Sequence, residues 1–149
     1  MAAYTANASQ TVNPGETVVF TATTVPCDMG LVLHADDTGN FLIAGRDFRN
    51  QNVCCCRRRN TVNYTLAFGA NIAIPTGGTV GEISLAIAVD GSTVPASTMI
   101  ETPAAMEEFS NVSKTIPVPI FKGCCQSVSV RNTSDQPILV QNASLVITR

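Results

Sequence analysis

At 149 residues the chain has the length of one domain, and a core of that size buries roughly two-thirds of the surface an unfolded chain exposes, so folding requires neither metal nor disulfide. Hydrophobic residues make up 45% and charged residues 13%, which excludes disorder, and the interruption of the apolar runs excludes a helical membrane span. A net charge of -2 provides no long-range field, so neither nucleic acid nor an anionic membrane is expected as a partner, and any recognition is local.

Residues 1 to 25 hold no positively charged start and no unbroken apolar stretch of signal-peptide length, so export by that route is not expected. Ala2 to Gln10 reads as a polar, extended arm. After the turn signal Asn13-Pro14-Gly15, Val18, Phe20 and Ala22 alternate with Val19, Thr21 and Thr23, the period of two that marks a half-buried strand. Leu31-Val32-Leu33 is a second strand leading into His34, closed by Asp36-Asp37-Thr38-Gly39-Asn40. Residues 45–60 lack apolar periodicity and read as a Cys- and Arg-rich loop.

Alternation returns with Tyr64, Leu66 and Phe68, pauses at Pro75-Thr76-Gly77-Gly78, and resumes with Ile83, Leu85, Ile87 and Val89 up to Asp90-Gly91-Ser92. Pro103 to Phe109 is the one helical competitor, because Ala104, Ala105, Met106, Glu107 and Glu108 are good helix formers behind a proline; one or two turns are expected. From Thr115 to Phe121, Pro117 and Pro119 remove ladder donors, so this run belongs at a sheet edge or strand boundary. Val128 and Val130 alternate with serines, Asn132-Thr133-Ser134-Asp135 turns the chain, and Ile138–Val140 and Ser144–Thr148 read as a closing pair of strands.

About eight to ten short strands without alternating helices exclude a parallel βαβ architecture. The expected fold is all-β: one domain over residues 1–149, an antiparallel two-sheet sandwich of jelly-roll type, with an immunoglobulin-like sandwich as the alternative. Its core should hold Phe20, Leu66, Phe68, Ile83, Leu85, Ile87, Val128, Val130, Leu145 and Ile147.

Six cysteines are the unusual feature: Cys27, the triplet Cys54-Cys55-Cys56, and the pair Cys124-Cys125. Neighbours on a strand point to opposite faces, so a triplet cannot aim all its sulfurs at one partner. Three readings stay open: a disulfide set within or between chains, a metal site, and plain buried or exposed thiols. The spacing is not that of zinc ribbons and His34 is the only histidine, so no metal or other cofactor is expected. Beside the triplet stand Arg57, Arg58 and Arg59, with Arg46 and Arg49 upstream. They suit docking to an acidic surface such as a capsid lattice; the plain alternative is a solvated loop paired with Asp47, Asp36 or Asp37. No aromatic residue is interleaved with these arginines, which argues against nucleic-acid readout.

Enzyme motifs are missing. There is no Gly-x-Ser-x-Gly elbow, phosphate-binding glycine loop or His-Glu-x-x-His, His34 lies in an apolar strand, and the adjacent Glu107 and Glu108 do not face each other across a substrate, so no catalytic residue is assigned. Asn-x-Ser/Thr triplets at Asn7, Asn63, Asn111, Asn132 and Asn142 follow from an Asn-, Ser- and Thr-rich composition.

Three stretches carry a family resemblance: Tyr64-Thr65-Leu66-Ala67-Phe68; Ile83 through Asp90-Gly91-Ser92-Thr93-Val94-Pro95-Ala96-Ser97; and Val128-Ser129-Val130-Arg131-Asn132-Thr133-Ser134 followed by Asn142 to Ile147. In order and spacing they resemble the tumour-necrosis-factor-like C-terminal domains of collagen-like spore-surface proteins, and related virion proteins of phages that infect spore-forming bacteria. The resemblance covers roughly Thr61 to Arg149, and the chain departs from it in having cysteines and no Gly-x-y stalk. It implies a jelly roll without a catalytic centre, assembled as a homotrimer on a particle. Absence of a stalk favours a phage capsid decoration or head-fibre protein located on the virion; a spore or cell surface, or a sugar-binding or receptor-binding module, is the alternative. Scarcity of aromatic residues, with no Trp and only Tyr4 and Tyr64, weighs against sugar stacking. Ile116, Val118 and Ile120, with the apolar members of the last strands, are the expected trimer contacts.

Overall fold

The computed structural model describes residues 1–27, 31–45, 61–121 and 125–149. Twelve strands occur in them: β1 (Ala2–Ala6), β2 (Gln10–Val12), β3 (Ala22–Val25), β4 (Val32–His34), β5 (Phe41–Ala44), β6 (Thr61–Ala73), β7 (Ile83–Val89), β8 (Ser92–Thr93), β9 (Met99–Glu101), β10 (Ser110–Phe121), β11 (Cys125–Asn132) and β12 (Ile138–Thr148). They form two six-stranded antiparallel sheets. The first runs β10-β6-β12-β1-β3, with β2 added to β12; the second runs β4-β5-β11-β7-β8, with β9 added to β7. This is a jelly-roll sandwich, and helix among the described residues is limited to one 3-10 turn at Pro95–Ser97.

Period-two alternation places one apolar row of each of the long strands β6, β7, β10, β11 and β12 between the sheets. All ten expected core residues are enclosed there, joined by Tyr4, Phe41, Ile43, Tyr64, Ile72 and Ile74. At roughly 1.5 to 3 kcal/mol for each large side chain removed from water, this layer supplies the main driving force for folding.

Four expectations need correction. Ala2–Ala6 is no arm: β1 pairs with β12 on one side and β3 on the other, and Ala2, Tyr4 and Ala6 are buried, because small apolar residues alternating with Ala3 and Thr5 already make a strand. The run from Val18 to Thr23 is not one strand. Thr17 bridges Arg131 and the Val18 amide donates to the Val130 carbonyl at 2.8 Å, in the second sheet, whereas Ala22–Val25 pairs with β1 in the first. The segment therefore crosses between sheets, burying Val18 and Phe20 and leaving Ala22 exposed.

Pro103 to Phe109 is a turn rather than a helix. The Glu108 carboxylate accepts the Ala104 and Ala105 amides, both at 3.1 Å, while the Glu107 amide donates to the Ile74 carbonyl at 2.8 Å with Glu107 at a φ of 59°. Capping and tertiary bonds of this kind override helix propensity. The last two runs form the single strand β12, whose register shifts between Gln141 and Ser144, where Asn142 sits at a φ of 52°. A bulge at a residue that tolerates the left-handed region broke the pattern without breaking the strand.

Candidate assembly face

The outer rows of β1, β6, β10 and β12 build one continuous face. Register aligns Thr115, Ala67, Val146 and Ala3 across the four strands, and one step along it aligns Ser113, Gly69, Ser144 and Thr5. Further on stands an amide row, Asn111, Asn71 and Gln141, in which Asn111 Nδ2 donates to Asn71 Oδ1 at 3.1 Å. At the opposite end Thr65, Pro117 and Thr148 align, then Asn63 with Pro119 and Thr61 with Phe121, whose ring is half exposed.

Lys114 is the only charged residue in any strand of this sheet. Its register partner is the inward-facing Phe68, so Lys114 belongs to the inner phase of the free edge strand and not to the outer face. A sheet face left to water ordinarily carries charged side chains in its outward phase, while depletion of charge marks the centre of an interface. Apart from Leu139 and Gln141 toward one end and Pro117, Pro119 and Phe121 toward the other, the outward phase is Thr, Ala, Gly, Ser, Val and Asn: short side chains that leave a flat central surface with little ordering entropy to lose. Pro117 and Pro119 on the free edge of β10 offer no N–H to an added strand. The β10 edge is thereby protected against extension by an added strand at these positions.

Ile116, Val118 and Ile120, expected as trimer contacts, are not on that face. They are 5%, 4% and 0% exposed within the single chain and pack into the sandwich. The phase of β10 is the reverse of the expectation, and Pro117, Pro119 and Phe121 are its outward members. Of the cysteines, Cys27 is half-buried just after β3 and Cys125 opens β11 on the surface. Cys54, Cys55, Cys56 and Cys124, and the arginines Arg57, Arg58 and Arg59, lie outside the described residues.

His34 is a packing residue at the edge of the second sheet. Its ring stacks on Phe41, with centroids 4.3 Å apart and planes 16° from parallel, and meets Tyr4 edge-on at 4.9 Å. Nδ1 lies 3.2 Å from the Asn40 carbonyl and Nε2 3.3 Å from the Phe20 carbonyl, so both ring nitrogens face backbone oxygens and neither faces a nucleophile. Glu107 accepts a bond from the Thr76 hydroxyl and Glu108 caps two amides, which gives both carboxylates structural partners. Among the described residues no three His, Cys, Asp or Glu stand close enough together to hold a metal ion, and no helix is long and apolar enough to cross a membrane.

No family model matches the chain, and none of the curated proteins does. Solved structures do. Eiger TNF from S. frugiperda is similar with a TM-score of 0.65 at 8% identity, covering 99% of this chain and 90% of that one. The globular domain of a zebrafish complement 1qA protein is similar with a TM-score of 0.59 at 12% identity, covering 96% and 93%. At such identities the likeness is one of fold.

Proposed function

The chain has the jelly-roll fold of C1q- and TNF-like domains, and we propose that it is a non-enzymatic structural subunit, a homotrimer joined through the outer face of the β10-β6-β12-β1-β3 sheet. The observation that carries the proposal is the absence of charge from that face. An uncharged outward phase spanning four strands has little reason to be kept in water and suits burial against copies of itself about a closed axis. The family resemblance from Thr61 onward supports the number three. It also supports the setting: a knob on a particle surface, foremost a phage capsid decoration or head fibre on the virion, with a spore or cell surface as the other home.

Both parts can be tested. Ala67→Glu sets a carboxylate in the middle of the face, and the expected outcome is a folded monomer by native mass spectrometry where the parent chain gives a trimer. Mass spectrometry of purified virions, spore coats and cell walls then locates the chain. Its recovery from virions supports decoration; its absence from all three fractions removes the particle reading.

A further inference from the structure

At one end of the sandwich, the loop between β6 and β7 and the loop between β11 and β12 enclose an open cleft of about 670 Å³. That volume lies within the roughly 300 to 1,000 Å³ typical of small-molecule sites. Its walls are fixed to each other. Gln136 clasps Thr79 twice, its side-chain nitrogen donating to the Thr79 carbonyl at 2.9 Å and its side-chain oxygen accepting the Thr79 amide at 3.0 Å. Ser84 Oγ and Thr133 Oγ1 share a hydrogen bond of 2.7 Å, and Ser134 Oγ accepts the Ser84 amide at 2.8 Å. Asn132 secures the second loop from below, accepting the Ser134 amide at 2.8 Å and donating to the Gln136 carbonyl at 2.9 Å. Polar groups held in place before a ligand arrives lose little freedom on binding.

The chemistry of the lining narrows the ligand. Two carboxylates, Glu82 and Asp135, stand in it with hydroxyl groups and the Gln136 amide. No lysine, arginine or histidine lines it, so phosphates, sulfates and uronic acids meet only repulsion. No aromatic ring lines it either, so neither a flat heterocycle nor a sugar ring finds a stacking surface, and recognition here rests on hydrogen bonds alone. Neither carboxylate has a hydrogen-bond or ion-pair partner among the described residues, so both retain acceptor capacity. What complements this set is a neutral molecule dense in hydroxyl donors.

We propose that this cleft binds a neutral saccharide, whose hydroxyls donate to Glu82 and Asp135 and accept from Thr133, the single Ser134 hydroxyl proton being held by the Ser84 carbonyl. The site is independent of the trimer face, which none of the lining residues belongs to. Glycan binding and assembly therefore succeed or fail separately.

The full-length chain should be titrated with a panel of neutral oligosaccharides of glucose, galactose, mannose and N-acetylhexosamines, with sialylated and uronate-containing members for contrast. Backbone amide NMR signals serve as the readout. At least one neutral glycan is expected to bind saturably and to shift amides between Thr79 and Ser84 and between Thr133 and Gln136. Asp135→Ala or Glu82→Gln should weaken it about tenfold, the scale of one lost hydrogen bond to a charged acceptor. Both side chains are exposed, so neither substitution threatens the fold. A panel without saturable binding, shifts confined to other residues, or binding indifferent to both substitutions overturns the proposal. So does a titration in which calcium chloride alone reproduces the shifts and no glycan does.

Discussion

Tyr64 in β6 donates its hydroxyl to the Ala44 carbonyl in β5 at 2.7 Å, and this bond crosses the core from one sheet to the other. The phenol is 2% exposed, so neither group has water to turn to. Tyr64→Phe keeps the ring and strands the carbonyl. The expected loss is about 1 to 3 kcal/mol, read from the urea midpoint at unchanged slope.

The two tyrosines of the chain also set its behaviour in alkali. Burial, assisted by the nearby Cys27, pushes the Tyr4 hydroxyl up to about 12. Burial raises Tyr64 as well, with Arg149 opposing and Cys27 reinforcing the shift. An unfolded tyrosine ionises near about 10, below both folded values, so the unfolded chain releases these protons first. Their contribution to stability is therefore complete below about pH 10 and is lost as pH rises from there toward the folded values. Urea midpoints should fall across that window, tyrosinate absorbance should appear only with unfolding, and Tyr4→Phe should flatten the decline.

Leu85 lies on the inner row of β7, opposite Asn132 of β11 and Met99 of β9, and is fully enclosed. Leu85→Ala leaves a cavity that flanking strands cannot close. It should cost about 2 to 5 kcal/mol in chemical denaturation. A loss below about 0.5 kcal/mol would mean that the side chain faces solvent.

Asn132 shows an Asn-x-Ser triplet put to structural use. Its side chain is 1% exposed and its nitrogen donates to the carbonyls of Val12 and Gln136, both at 2.9 Å. The amide is committed to joining β2, β11 and the loop that follows. Asn132→Ala should cost at least about 1 to 3 kcal/mol and broaden NMR signals of residues 133–136, while intact mass should show no glycan on Asn132.

Strands with clean alternation and hydrophobic inner members, such as Tyr64–Phe68 within β6, were legible in the sequence because burial on one face writes the period directly. Ala2–Ala6 was hidden by the small size of its buried alanines, and the full length of Thr61–Ala73 by Asn63, Gly69 and Asn71, residues that strands usually avoid. The crossing at Thr17–Phe20 has no local signature, since alternation does not say which sheet receives each residue. The phase of Thr115–Phe121 could have been found: prolines avoid a core ladder and so turn the intervening isoleucines and valine inward. The assembly face was written as a lack, the absence of Lys, Glu and Arg from the outward phase of four strands. That becomes visible only once register shows those strands to be neighbours. The cleft depends on two loops far apart in sequence, and nothing local pairs Thr79 with Gln136.

Sedimentation equilibrium across the micromolar range tests the central claim, assembly through the uncharged face, most directly. The parent chain should sediment at three times its 15.7 kDa, and the Ala67→Glu chain at 15.7 kDa with its fold intact. A parent chain that remains at 15.7 kDa throughout, or an Ala67→Glu chain that still sediments as a trimer, would contradict it.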